Sequence, residues 1–144
     1  MTLDWTPVRT GFRSGYVCHA YNEDAFRYFL AVERARARRS QRCLFLVLLG
    51  IQPSPGRPAH LPDALATALF RGLGASVREV DFVGWYKEGR VPAAVLAQGI
   101  RASDDSMAPA IADRVSAEVK KRLPVPQAGS VRVRVIRIGG LRSS

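Results

Sequence analysis

The sequence is poor in cysteine, histidine and lysine, and each shortage excludes something. Two cysteines, Cys18 and Cys43, and two histidines, His19 and His60, are too few and too scattered for a zinc site. A disulfide is disfavoured in a chain that reads as cytoplasmic. The longest apolar run spans residues 43–49, far short of the roughly 20 residues that cross a bilayer. Asp4 stands early and no apolar stretch follows it, so no secretory signal is expected. No serine sits in a nucleophile elbow, and no glycine-rich phosphate loop occurs. The expectation is a soluble, cytoplasmic, single-domain protein with no membrane span.

What is present is arginine. The chain of 144 residues carries 22 basic and 12 acidic residues, a formal charge of +10. Only Lys87, Lys120 and Lys121 are lysine, which leaves 19 arginines. Arginine presents a planar fork of donors that grips phosphates and guanine edges. The balance suits a nucleotide, a nucleic acid or an acidic surface, and equally a solvated basic face. A hydrophobic fraction of 47% against 24% charged residues calls for a packed core.

Residues 1–20 show little periodicity and read as an irregular lead-in. Asn22 is placed to cap a helix that runs to about Arg39, with Ala25, Phe26, Phe29, Leu30 and Val32 as its apolar stripe. Arginines 34, 36, 38 and 39 sit near its negative pole, where cations are stabilising without any ligand. The run CLFLVLLGI (Cys43–Ile51) predicts a strand buried on both faces. A Pro-rich loop follows, then a second helix from about Pro62 to Arg71, stopped by Gly72 and Gly74. Strands over 81–86 and 91–97 flank a polar turn and form a hairpin, with Pro92 at the start or edge of its second strand. A third helix is expected from about residue 103 or 104 to 123, and VRVRVIRI (131–138) alternates as a last strand with Arg132 and Arg134 outward. Without the first helix the order is β-α-β-β-α-β. The fold class is therefore α+β, ferredoxin-like and palm-like, with an extra N-terminal helix and an antiparallel sheet covered by helices on one face.

Three stretches in this order resemble a known family: VERARARR (32–39), LFLVLLGI (44–51) and VREVDFVGWYKEGRVPAAVLAQG (77–99). Together they look like a GGDEF domain, the family of the diguanylate cyclases, over residues 21–140. The family signature falls on the hairpin tip, here Lys87, Glu88, Gly89, Arg90 and Val91. Palm-type nucleotidyl transfer needs carboxylates to hold Mg²⁺ against a triphosphate. In the family one metal carboxylate ends the first strand in a pattern like LLDID, and here that stretch is Leu48, Leu49, Gly50, Ile51 and Gln52. At the hairpin the acidic pair is replaced by Gly89 and Arg90, and an arginine there repels a metal. The departures imply a pseudo-enzyme, with no cofactor and no metal site.

Many members of the family carry a product-binding pattern, RxxD, five residues before the signature. Here Arg78 and Asp81 stand in that register, with Phe82 to Tyr86 between Asp81 and Lys87. Arginine can fork onto O6 and N7 of guanine, and aspartate can accept from N1–H and N2–H, a pattern adenine lacks. The pattern alone means little, because Arg101 and Asp104 form a second copy with no family counterpart. An exposed Arg78–Asp81 ion pair is the plain alternative. Resemblance adds Arg114, in Ala112-Asp113-Arg114, as a third ligand contact. The expected function is a receptor for cyclic di-GMP, acting through an effector protein in exopolysaccharide, motility or biofilm control. The alternative is a nucleotide-independent interaction scaffold or homodimer, and specific nucleic-acid binding is not expected. Trp85 and Tyr86 read as strand packing before base stacking. His19 and His60 lack the partners of a metal or general-base site.

Overall fold

The computed structural model describes residues 5–7, 19–40, 42–52, 60–76, 80–98, 107–124 and 128–139. They form strands β1 (Trp5–Pro7) and β2 (His19–Tyr21), helix α1 (Glu23–Ser40), strand β3 (Cys43–Ile51) and helix α2 (Asp63–Ser76). Strands β4 (Val80–Lys87) and β5 (Val91–Gln98), helix α3 (Met107–Lys120) and strand β6 (Val131–Gly139) follow. The six strands make one sheet in the order β1-β2-β4-β5-β3-β6. Its last four strands, with α2 and α3, are the expected β-α-β-β-α-β core, antiparallel at every pairing.

Several local details depart from the sequence reading. The lead-in over 1–20 contributes two short strands, and β2 pairs parallel to β4, so the sheet is mixed. The helices cover both faces rather than one. Along β3 the odd residues Phe45, Val47 and Leu49 pack with Leu69, Phe70 and Leu73 of α2 and Ile111, Val115 and Val119 of α3. The even residues Leu44 and Leu46 pack with Phe26, Leu30 and Ala37 of α1. That two-sided burial is what an uninterrupted apolar strand demands.

The helix ends follow local chemistry. Asn22 Oδ1 accepts from the Ala25 N–H at 2.8 Å, the N-cap the sequence pointed to. Helix α2 does not stop at Gly72 but runs through it and Gly74 to Ser76. A Cβ at residue 72 would meet Val119 Cγ2 at 2.5 Å, so the glycine lets α3 cross close to α2. Pro92 pairs opposite Trp85 on β4 and lies beyond the β3–β5 ladder, which ends at Leu48 and Ala93. Its missing N–H therefore costs no bond to β3. In β6, Val131, Val133 and Val135 face the α2–α3 core, whereas Ile136 and Ile138 pack on the α1 side. The alternation breaks between Val135 and Ile136 because the apolar residues change there from the α2–α3 side to the α1 side.

Candidate functional site

The hairpin tip sits where the signature was expected, between β4 and β5. Gly89 adopts φ +73°, a left-handed conformation that favours glycine, and the Arg90 N–H donates to the Lys87 carbonyl at 2.9 Å. The tip is held by the chain's own segments. The Leu61 N–H donates to the Gly89 carbonyl at 2.7 Å, and His60 Cδ2 lies 2.8 Å from where a Cβ on Gly89 would stand. Glu88 Oε1 accepts from the Glu23 N–H at 2.9 Å, and Glu23 Oε1 accepts from the Glu88 N–H at 2.7 Å. A carboxylate on the first N–H groups of a helix is stabilised by the helix dipole. The one carboxylate in the hairpin turn thus serves as a cap for α1.

Arg27 completes this junction. Its Nε donates to the Tyr86 carbonyl at 3.1 Å and lies 3.2 Å from Glu23 Oε2, and its guanidinium stands 4.5 Å from the Tyr86 ring centroid. Trp85, on the other face, packs edge-on against Phe70 at 5.1 Å. Both aromatics are thus engaged within the fold.

The end of β3 tells a matching story. The Gln52 N–H donates to the Ser130 carbonyl at 2.8 Å, and Arg132 Nη2 donates to Gln52 Oε1 at 3.0 Å. Gly50 pairs with Arg132, and nothing stands within 4 Å of a Cβ built on it. A hard dication needs carboxylate oxygens. This stretch offers a glycine without a side chain and an amide oxygen that already accepts from an arginine. The residues present do not fit a Mg²⁺ site.

The sequence-predicted ligand residues are described unevenly. Arg78 and the Asp81 side chain lie outside the described residues, as do Arg101 and Asp104. The Asp81 backbone falls at a register shift between Val80 and Phe82, a bulge near the start of β4. Arg114 is exposed on α3, a helix that packs on α2 and β6 through Ile111, Val115 and Val119. The only pKa that moves clearly among the described residues is that of Glu118 on the same helix, lowered by hydrogen bonds from Arg122 and then Lys121.

One feature escaped the sequence reading. A cavity of about 350 Å³ opens at the end of α1, lined by Glu33, Arg36, Ala37, Arg39, Ser40, Arg42 and Leu44. The helix dipole accounts for arginines there, but not for three of them lining one cleft. The available signal was the three-residue spacing of Arg36, Arg39 and Arg42. The cleft lies beside the first residues of β3, and Phe45 pairs with Leu96, which pairs with Val80. The start of β4 is therefore two strands away, about 10 Å.

Comparison with known proteins agrees with this architecture. No protein-family model matches the chain, and no curated protein matches it. Solved structures do. A DGC protein from Thermotoga maritima superposes with a TM-score of 0.58 at 18% identity, covering 82% of this chain and 79% of that one. The FimX GGDEF domain from Pseudomonas aeruginosa gives 0.58 at 16% identity, covering 87% and 79%. Diguanylate cyclase SiaD from the same organism, solved in complex with its activator SiaC, gives 0.57 at 20%, covering 87% of this chain and 48% of that one. The chain has the GGDEF fold. At these identities the likeness concerns the fold alone, so the chemistry of a GGDEF-like chain must be read from its own residues.

Proposed function

We propose that this GGDEF-like chain is catalytically inactive and acts as a receptor for cyclic di-GMP through Arg78, Asp81 and Arg114. The observation that carries the reading is the arginine-lined cleft of Arg36, Arg39 and Arg42, at the same end of the sheet as the start of β4 and on its α1 face, whereas Arg114 stands on α3 across the sheet. A cyclic dinucleotide presents guanine edges and phosphates together. Arg78 and Asp81 supply the guanine-reading pair, and the basic cleft, where Arg36 also donates to Glu33 at 3.2 Å, supplies phosphate donors. The opposite end of the sheet, where a cyclase would hold metal and triphosphate, is committed to internal bonds of Glu88, Gln52 and Arg132.

The reading separates into two tests. Arg78→Ala abolishes cyclic di-GMP binding, and Arg36→Ala/Arg39→Ala weakens it by about tenfold, as loss of charge-assisted contacts would. Unchanged affinity in Arg78→Ala overturns the site. Incubation with GTP and Mg²⁺ yields no cyclic di-GMP; formation of that product overturns the pseudo-enzyme assignment. The likeness to SiaD, solved with a protein activator, favours a protein partner as the output of binding. It equally favours the second reading, a scaffold that contacts a partner without nucleotide, and that reading stands if no guanine nucleotide binds.

A further inference from the structure

Strand β6 ends the sheet. Its nine residues pair one for one with β3, from Ile51 opposite Val131 to Cys43 opposite Gly139. Among the described residues no strand pairs with its other edge. The strand contains no proline, no bulge and no glycine before Gly139, and five of its residues are β-branched. A long, regular edge of this kind displays a row of backbone N–H and C=O groups that templates one more strand.

The side chains say what that strand should carry. On the α1 side, exposed Arg132 and Arg134 are followed by partly buried Ile136 and Ile138. On the other side stand Val131, Val133 and Val135, half-buried against the core. Among the described residues no carboxylate pairs with Arg132 or Arg134. A second copy pairing here would bring two sets of the same arginines together, on a chain whose formal charge is already +10. Opposite charges across a strand pair stabilise it, and like charges destabilise it.

We propose that the open edge of β6 accepts an extended, acidic segment of a partner protein as a seventh strand, with carboxylates opposite Arg132 and Arg134. This docking does not depend on the cyclic di-GMP reading proposed above.

The test uses fluorescence anisotropy with three labelled peptides of about ten residues, the length of such a strand. One alternates Glu with Val, one alternates Lys with Val, and one keeps the glutamates but replaces every valine with proline. The chain binds the Glu–Val peptide at least about tenfold more tightly than either control, and Arg132→Glu/Arg134→Glu removes that advantage. Hydrogen exchange on the unaltered protein gives an independent readout, because amides of β6 gain protection when the Glu–Val peptide binds. Equal binding of the proline peptide means charge attraction without strand pairing and overturns the proposal. Absence of binding, or β6 amides that stay unprotected, overturns it as well. Self-association of the unaltered chain that is lost in Arg132→Glu/Arg134→Glu assigns the edge to a second copy and overturns the acidic partner.

Discussion

A methyl group at residue 72 would stand 2.5 Å from Val119 Cγ2 and 2.8 Å from Val119 Cα. The second contact is with backbone, which cannot swing aside. Gly72→Ala is therefore expected to destabilise the fold by about 1–3 kcal/mol, as overpacked cores do, despite the better helix propensity of alanine. Chemical denaturation with the slope held fixed measures it. Glu88 belongs to the same scale. Its carboxylate accepts from the N–H of Glu23 at the start of α1, so Glu88→Ala is expected to cost about 1 kcal/mol, the usual loss for a cap. Glu118 behaves differently. Hydrogen bonds from Arg122 and Lys121 lower its pKa, so any stability it lends is present above the ordinary glutamate value and fades as the pH falls through the lowered one. The pair is solvent-screened, and Glu118→Gln should leave the thermal midpoint at neutral pH essentially unmoved.

At the scale of elements, the hairpin and α1 form one unit. Glu23, Glu88, Arg27 and Tyr86 interlock across 65 residues of sequence. No periodicity could reveal this, because each bond depends on where the hairpin lands relative to the first helix. What periodicity did reveal is considerable. The apolar run from Cys43 to Ile51 became β3 with those bounds, and Asn22 became a cap. The sequence reading ended α2 early because glycine commonly marks a helix end, whereas Gly72 answers to a contact with α3 that only the tertiary packing creates. It also placed the helices on one face, although the two-sided burial of β3 was already written in its unbroken apolar run. The β3 end supports another prediction. Gly50→Asp is sterically free and faces Arg132 across the ladder, so it should change stability by less than about 1 kcal/mol. Calorimetry with Mg²⁺ should show no binding in that variant, because the new carboxylate pairs with Arg132.

For the whole molecule, the distribution of arginine matters more than its amount. Arg36, Arg39 and Arg42 gather at one end of the sheet, Arg132 and Arg134 lie on the edge strand, and Arg27 closes the hairpin junction. A charge of +10 read from composition could not distinguish these roles. Nor could composition reveal that Arg36, Arg39 and Arg42 line one cleft. The palm-like frame was legible because alternating and helical periods report which faces are buried. The proposed chemistry rests on Gly50, Gln52 and Arg90, none of which offers a carboxylate at the hairpin end of the sheet.

The most direct measurement is calorimetric titration of the intact chain with cyclic di-GMP, with GTP and cyclic di-AMP as controls. Binding of cyclic di-GMP at about 10 µM or tighter, near −7 kcal/mol, with neither control giving heat, is the predicted result. Equal heats from all three nucleotides, or none from cyclic di-GMP, would contradict a guanine-reading receptor.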